Sequence, residues 1–266
     1  MPKLSLQLPL AGKRVVITRA QDQASGLGEA LKKLGAVVVD LPTIEIHDPD
    51  SWERLDSAIF RLDQFDFLIF TSVNGVRSFM KRLQHCGQNA MALARLEVGA
   101  IGPATAEALR EAGVRVDFIP RQYQAEGLLE SLDGREVRGK RFLIPRARVA
   151  RDLVPRALTG RGAKVEVVEA YQTVLPGYSA GEVKKRLTPM PDVLTFTSSS
   201  TAYHFVELAE REGLLSGMKG CLVASIGPVT SDALRQLGFS VAVEARESTI
   251  PGLIQALAGR FVDTSS

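Results

Sequence analysis

Polar side chains without carboxylates follow most of the apolar runs in this sequence, and their types limit the chemistry they can do. They are hydroxyls, glycines, an amide and arginines, a set that donates hydrogen bonds and suits binding of an anion. The segments are Thr18-Arg19, Thr71-Ser72-Val73-Asn74-Gly75, Gly102-Pro103-Ala104-Thr105, Arg146, Thr197-Ser198-Ser199-Ser200-Thr201 and Gly227-Pro228-Val229-Thr230. In an open parallel sheet, ligands bind where the strands end, so these segments are the candidate site.

Helix capping is the structural alternative for the same residues. Ser, Thr and Asn directly before a helical pattern are N-caps, and that role alone accounts for most of residues 71–74 and 197–201. A helix N-terminus also presents free N–H groups at the positive end of its dipole, so several such turns around one cleft predict a polycarboxylate or phosphate ligand. Neither GxGxxG nor GxxxxGKS occurs at these turns, which argues against a bound dinucleotide or P-loop nucleotide.

Tyr171 is the candidate proton donor. It lies in the segment Glu169-Ala170-Tyr171-Gln172-Thr173, within a long predicted strand. A phenol donates a proton or a hydrogen bond without carrying charge. The alternative is a tyrosine that only packs in its strand.

Seven cations fall within residues 135–151. They are Arg135, Arg138, Lys140, Arg141, Arg146, Arg148 and Arg151. The run is either a solvated linker and helix start or a surface that faces an anion.

The chain is an internal duplication, because three segments recur in the same order. Gly12-Lys13-Arg14 returns as Gly139-Lys140-Arg141, Thr71-Ser72 as Thr197-Ser198, and Ile101-Gly102-Pro103 as Ile226-Gly227-Pro228. The repeat is far longer than the units of a solenoid, so it predicts two similar domains of ordinary size.

Each copy alternates short apolar runs with helical patterns, which predicts a parallel sheet with crossover helices. The sequence predicts five strands per copy: 14–18, 37–46, 67–70, 98–101 and 114–119 in the first, and 141–144, 164–175, 193–196, 222–226 and 241–243 in the second. Residues 37–46 and 164–175 are about twice the usual strand length, and Pro42 interrupts the first.

The two long segments are therefore predicted to cross between domains. This gives one discontinuous lobe of residues 1–37 and 174–266, a second lobe of residues 48–162, and connector strands at 38–47 and 163–173. The expected fold is α/β, with two similar flavodoxin-like parallel-sheet lobes from an internal duplication, joined by a two-stranded β connector.

Composition excludes several classes of protein. The 266 residues carry a formal net charge of +3, too small to indicate nucleic-acid binding. Two cysteines without CxxC spacing and three scattered histidines predict neither a disulfide nor a metal site. No transmembrane or signal segment is recognisable, so the expected location is the cytoplasm, and no heptad suggests a partner, so a monomer is expected.

The sequence resembles the uroporphyrinogen-III synthase family over nearly its whole length. The resemblance rests on Val16-Ile17-Thr18-Arg19, Phe70-Thr71-Ser72-Val73-Asn74-Gly75-Val76, Ile101-Gly102-Pro103-Ala104-Thr105, Tyr171-Gln172-Thr173, Phe196-Thr197-Ser198-Ser199 and Ile226-Gly227-Pro228-Val229-Thr230. It implies a cofactor-free and metal-free lyase that closes the linear tetrapyrrole hydroxymethylbilane with inversion of ring D and loss of water. It also implies a product held in a cleft largely by main-chain amides, with a transient hand-over of substrate from the preceding pathway enzyme as a further expectation.

The resemblance also assigns the site residues. Tyr171 is the matching position for a proton donor that assists departure of hydroxide. The residues predicted to bind substrate are Thr18, Arg19, Ser72, Asn74, Gly102, Thr105, Arg146, Ser198, Ser199, Gly227 and Thr230. Arg19 and Arg146 are the candidates for substrate carboxylates, since a guanidinium binds a carboxylate through two parallel hydrogen bonds. Arg148 and Arg151 are expected to extend that surface.

The alternative function is a non-catalytic, two-lobed binding module for a small polyanionic ligand. Such regulators usually carry a DNA-binding headpiece, for which the residues before Pro9 are too few, and a periplasmic form needs a signal peptide. Both considerations favour the enzyme.

Overall fold

The computed structural model describes residues 8–123 and 125–262, the side chains of residues 22–25 excepted. The strands are β1 (Arg14–Ile17), β2 (Val37–Asp40), β3 (Glu45–His47), β4 (Phe67–Phe70), β5 (Glu97–Ala100), β6 (Arg141–Ala147), β7 (Lys164–Val174), β8 (Val193–Phe196), β9 (Leu222–Ser225) and β10 (Val241–Glu244).

Most of the helices lie between successive strands. The helices are α1 (Gln21–Lys33), α2 (Glu53–Ile59), α3 (Val73–His85), α4 (Pro103–Glu111), α5 (Ala125–Glu130), α6 (Leu153–Gly160), α7 (Glu182–Arg186), α8 (Ser199–Arg211), α9 (Leu215–Met218), α10 (Pro228–Gln236) and α11 (Ile250–Val262), with 3-10 turns at Leu62–Gln64 and Ala90–Leu93. Within the described ranges no helix is both long and apolar enough to cross a membrane.

Two five-stranded sheets form, in the orders β2-β1-β8-β9-β10 and β3-β7-β6-β4-β5. The pairs β1–β2, β1–β8, β8–β9 and β9–β10 of the first sheet are parallel. In the second sheet, the pairs β4–β5, β4–β6 and β6–β7 are parallel. The predicted α/β class with parallel sheets is therefore confirmed. All four residues of β4 and of β8 are buried, which explains their unbroken apolar character.

Two compact units divide the described chain. Unit 1 runs up to Glu45 and resumes at Val174, and unit 2 comprises Ile46–Thr173. Apart from the residues where the chain changes unit, each sheet belongs to one unit, and it packs buried side chains on both faces. In unit 2 one face carries Leu55, Phe79 and Leu109 and the other carries Leu128 and Leu158. The chain changes unit inside β3 and at the last residue of β7.

The repeated Gly-Lys-Arg segments begin equivalent strands by the same contacts. The Asp66 carboxylate accepts from Arg141 N at 2.8 Å and pairs with Lys140 Nζ at 3.1 Å at the start of β6. At the start of β1, the Asp192 carboxylate accepts from Arg14 N at 2.8 Å and pairs with Lys13 Nζ at 3.3 Å. The backbone hydrogen bond from Arg141 is the main reason that the pKa of Asp66 lies below its usual value.

The predicted long strand at 37–46 does not form as one element. β2 ends at Asp40 and β3 begins at Glu45, with irregular chain between them. Leu41 and Thr43 still donate their N–H groups to Ile17 O and Thr18 O, each at 3.0 Å. Pro42 lies between them and has no N–H, so the regular ladder stops there.

The predicted strand at 114–119 is reduced to a single bridge between Gly99 and Phe118. The Asp117 side chain accepts from Val98 N at 2.8 Å, so a carboxylate replaces a backbone partner at this sheet edge. The Phe118 ring lies directly over Gly99, where a Cβ atom would clash with it.

Candidate functional site

The predicted site residues lie at the carboxyl ends of the strands of their own unit. In unit 2 they follow or end β4, β5, β6 and β7, which are neighbours in one sheet. In unit 1 they follow β1, β8 and β9, which are neighbours in the other. The first group is Ser72, Asn74, Gly102, Thr105, Arg146 and Tyr171, and the second is Thr18, Arg19, Ser198, Ser199, Gly227 and Thr230.

Ser72 is the N-cap of α3 in unit 2. Its backbone is extended, with φ −163° and ψ 154°, and its Oγ accepts from Gly75 N at 3.0 Å. This geometry follows from the sequence, because a buried apolar strand ends directly before a serine and a helical pattern. The capping alternative is thus correct for Ser72, and its hydroxyl retains one proton and one lone pair for a further contact.

Tyr171 supplies that contact. Its Oη lies 3.0 Å from Ser72 Oγ, and the side chain is 7% exposed. The β6–β7 register shifts here: Arg146 is opposite Glu169 and Ala147 is opposite Tyr171, which leaves Ala170 as a bulge. Bulges redirect side chains, and Tyr171 packs in the same buried cluster as Val168 and Ala170.

Burial keeps the Tyr171 phenol protonated. Burial raises its pKa above the ordinary value, and the hydrogen bond with Ser72 opposes that shift. The phenol lies beside the N-terminus of α3, with Ser72 Oγ within hydrogen-bonding distance. Both groups would stabilise the phenolate that forms when Tyr171 gives up its proton.

Several of the cations of residues 135–151 have partners within unit 2. Arg135 pairs with Glu97, and Lys140 pairs with Asp66. Arg148 pairs with Asp50, and its Nη1 donates to Gln172 Oε1 at 3.0 Å. These contacts favour a structural role over a free anion-facing surface for this part of the run.

Arg146 is also engaged. Its Nη1 donates to Arg151 O at 2.8 Å, and its Nη2 forms an ion pair with Asp152. The Arg146 side chain is 13% exposed. A substrate carboxylate would therefore compete with the Asp152 carboxylate for Nη2, and the predicted substrate contact of Arg146 stays a prediction.

Unit 1 commits several predicted hydroxyls to backbone groups. Thr18 is fully buried, and its Oγ1 donates to Thr195 O at 2.8 Å. Ser198 caps α8 by accepting from Thr201 N at 3.3 Å, and its Oγ lies 2.9 Å from Ser200 Oγ. Ser199 Oγ donates to Val229 O at 3.2 Å.

The two Ile-Gly-Pro segments begin α4 and α10 with glycine at the N-cap. Thr105 and Thr230 are the third residues of these helices, and each is 4% exposed. In unit 1, Ser225 Oγ accepts from Gly227 N at 3.1 Å and lies 2.7 Å from Ser231 Oγ. The sequence did not predict this buried polar pair. The comparison of the two copies could have indicated it, because Ser225 and Ser231 stand where the first copy has Ala100 and Ala106.

Two further contacts were missed. Thr43 is buried, and its Oγ1 lies 3.0 Å from both Thr18 O and Thr201 O. Gln172 Nε2 donates to Asp48 O at 2.9 Å and to Asp50 Oδ1 at 3.1 Å. No local pattern predicts these contacts, because each joins residues distant in sequence. Among the described residues, no group of three His, Cys, Asp or Glu side chains is placed to hold a metal.

Comparison with known proteins gives one consistent result. The family model described as "Uroporphyrinogen-III synthase HemD" matches residues 25–255. The chain is 35% identical to the uroporphyrinogen-III synthase of Synechococcus elongatus, covering 94% of this chain and 96% of that protein, and 29% identical to that of Chlorobaculum parvum, covering 92% and 98%. A mutant uroporphyrinogen III synthase of Thermus thermophilus has a similar fold, with a TM-score of 0.67 at 20% identity, covering 95% of this chain and 100% of that one.

Proposed function

Because the chain belongs to the uroporphyrinogen-III synthase family, we propose that it converts hydroxymethylbilane to uroporphyrinogen III with Tyr171 as proton donor. The activity itself is uroporphyrinogen-III synthesis, a hydro-lyase reaction of tetrapyrrole biosynthesis. The observation that carries the role of Tyr171 is its buried phenol, hydrogen-bonded to the cap of α3 at the carboxyl end of its sheet.

The first step removes the terminal hydroxyl of the substrate. The C–O bond breaks with its electron pair on oxygen, and the Tyr171 Oη proton passes to that oxygen, which leaves as water. The adjacent pyrrole supplies electrons, keeps its N–H proton and becomes a protonated azafulvene electrophile. The substituted carbon of the last ring attacks it and forms a spiro intermediate. The bond between that carbon and the preceding bridging carbon then breaks, which makes a second protonated azafulvene on the preceding ring. The free terminal carbon of the last ring attacks this second electrophile, and the proton that it loses returns to the Tyr171 phenolate.

Orientation supplies most of the selectivity in this proposal. The substrate is already reactive, so the protein must hold its ends where the substituted carbon attacks first, and correct placement is worth several kcal/mol. The substrate carries carboxylates, and the N-termini of α3 and α4 in unit 2, like those of α8 and α10 in unit 1, carry the partial positive charge that favours an anion. Arg19 is proposed as an additional carboxylate ligand from the end of β1.

We further propose that the two units arose by duplication. The order β2-β1-β8-β9 in the sheet of unit 1 supports this, because it matches the order β7-β6-β4-β5 in the sheet of unit 2. Both match the flavodoxin-like order, although along the chain unit 2 begins with β4 and β5, the equivalents of β8 and β9. Lobes of 1–37 with 174–266 and of 48–162, connected by 38–47 and 163–173, remain the proposed domain division, and a cytoplasmic monomer remains the proposed form.

A coupled assay tests the proposal. Freshly generated hydroxymethylbilane is given to the purified protein, and the oxidised products are separated into type I and type III isomers. A large type III excess over the protein-free reaction is expected. Type I alone from folded protein would contradict the proposal and favour a non-catalytic anion-binding module.

Tyr171→Phe then tests the proton donor. It is expected to lower kcat by about tenfold to a hundredfold while leaving measurable type III synthesis, since general acid catalysis is contributory here. The matched control is Tyr178→Phe in unit 1, which removes a half-buried phenol that donates to Pro42 O at 2.8 Å. Burial raises the pKa of Tyr178 to about 12. Equal kcat losses in both variants would refute the role of Tyr171.

A further inference from the structure

We propose that Ser72 is a positioning residue that acts through Tyr171 and is not itself a ligand of the substrate. Its hydroxyl donates to Tyr171 Oη, which directs the phenol proton away from Ser72 and stabilises the phenolate left after proton transfer. This inference rests on the proposed function of Tyr171 and reassigns Ser72, which the sequence resemblance had placed among the substrate ligands.

Two groups of the protein already bind the Ser72 hydroxyl. A hydroxyl has one proton and two lone pairs. Gly75 N donates to Ser72 Oγ at 3.0 Å, and Tyr171 Oη lies 3.0 Å away on the second contact. When Ser72 donates its proton to Tyr171, the lone pair that is left can only accept, so the hydroxyl has no donor to offer to a substrate carboxylate.

The direction of the Ser72–Tyr171 bond follows from the reaction. While the phenol is neutral, either oxygen can donate. Once Tyr171 has given up its proton, the phenolate can only accept, so Ser72 must donate. The bond is therefore stronger in the ionised state, and it favours the transition state for proton transfer.

Helix α3 strengthens this donation. Gly75 N–H points at Ser72 Oγ from the first turn of a 13-residue helix, at the positive end of its dipole. Accepting that bond makes the serine proton a better donor, because consecutive hydrogen bonds polarise one another. The stabilisation reaches a phenol that is 7% exposed and has little access to bulk water.

The bulge at Ala170 makes the pair possible. Strict alternation along β7 would place Tyr171 on the face of Glu169, but the extra residue brings it to the side occupied by Val168, Ala170 and α3. The opposing effects on the pKa of Tyr171 agree with this arrangement: burial raises it and the Ser72 hydroxyl lowers it.

Ser72→Gly is the test variant, because glycine is an adequate N-cap and the change removes the hydroxyl at little cost to the helix. We expect kcat for type III synthesis to fall about tenfold to a hundredfold, the effect of losing a hydrogen bond to a charged group, with KM within about twofold of the original. Ser72→Thr keeps the hydroxyl and suits the extended backbone, so it is expected to restore most of kcat.

The decisive measurement is Ser72→Gly in the Tyr171→Phe background. No further loss of kcat is expected there, because the hydroxyl acts only through the phenol. An equal loss in both backgrounds, or a rise in KM, would show that Ser72 contacts the substrate and would overturn the inference. Full kcat in Ser72→Gly beside a slow Tyr171→Phe would refute the positioning role alone, whereas full kcat in Tyr171→Phe would refute the proton donor and the positioning role with it.

Tyrosine ionisation provides a readout that is independent of activity. The titration of Tyr171, obtained as the absorbance difference from Tyr171→Phe, is expected to move to higher pH in Ser72→Gly. Ser198→Gly is the matched control, because Ser198 caps α8 in the same way without a tyrosine partner. An unmoved Tyr171 titration in Ser72→Gly, or the same shift in Ser198→Gly, would contradict the inference.

Discussion

The Thr-Ser turns of the two units share a backbone role and differ in what the serine touches next. Ser72 and Ser198 both cap a 13-residue helix, with φ near −163° and −164°. The second contact of Ser72 is the Tyr171 phenol, whereas that of Ser198 is the neighbouring Ser200 hydroxyl. One turn is therefore coupled to a titratable group and the other is not.

In the Ile-Gly-Pro turns, it is unit 1 that has the additional side-chain contact. In unit 1, Ser225 and Ser231 are fully buried and hydrogen-bonded to each other. The corresponding residues of unit 2 are Ala100 and Ala106, which are also fully buried. A repeated scaffold has thus kept its helix starts while the polar groups behind them changed, so each unit must be tested separately.

The largest expected effect on stability comes from changing Gly99 to alanine, the residue that its unit 1 counterpart Ala224 already is. A Cβ at Gly99 would clash with the Phe118 ring and lie 2.9 Å from Ile69 Cδ1. Gly99→Ala is therefore expected to lower the free energy of unfolding by about 2–3 kcal/mol, measured by urea denaturation. Gly160→Ala is the control, because nothing lies within 4 Å of its Cβ position. A loss below that of the control would contradict the predicted clash.

Truncating the two capping serines sharpens the comparison of the Thr-Ser turns. Ser198→Ala is expected to cost about 1 kcal/mol of stability, the usual value of an N-cap. Ser72→Ala should cost about 2 kcal/mol, since it also leaves the buried Tyr171 hydroxyl without its partner. Thermal melts of both variants check this, and equal losses would mean that the contact with Tyr171 adds no stability.

The buried serine pair gives a smaller and non-additive effect. Ser225→Ala is expected to cost about 1–2 kcal/mol, because it leaves the buried Ser231 hydroxyl without its serine partner. Ser231→Ala is expected to cost about 1 kcal/mol, because Ser225 Oγ keeps its hydrogen bonds with Gly227 O and Gly227 N. The double variant should cost less than the sum of the two, as it approaches the apolar arrangement of unit 2. A double-mutant cycle by urea denaturation measures the coupling, and strict additivity would contradict it.

Asp66 and Asp192 give the smallest expected effect. The pKa of Asp66 is lowered in the folded protein, so its contribution is present above the unfolded value of about 4 and is lost as the pH falls through the folded value. Asp66→Asn should therefore cost about 0.5 kcal/mol at pH 7, and the cost should shrink as the pH falls below about 4. Asp192→Asn, with the same Lys and Arg contacts in unit 1, is the comparison, and a pH-independent loss at Asp66 would contradict the prediction.

The sequence predicts the strands better than it predicts the side-chain contacts. Apolar runs such as 67–70 and 193–196 identify strands because burial on both faces leaves no polar position in them. The direction of Tyr171 is not predictable in this way, because it depends on a bulge opposite Arg146 and Ala147 of another strand. The break at Pro42 had a local signal, whereas the pairing of Arg146 with Asp152 depends on the path of the loop between them.

The discontinuity of unit 1 sets an order for its completion during synthesis. β1 needs β8 as a neighbour, yet the whole of unit 2 is translated between them. At about 5–20 residues per second, β1, α1 and β2 wait on the order of ten seconds or more outside the ribosome for that strand. Unit 2 is continuous and can fold in this interval, so the nascent chain carries an unpaired β1 edge that is exposed to aggregation until β8 emerges.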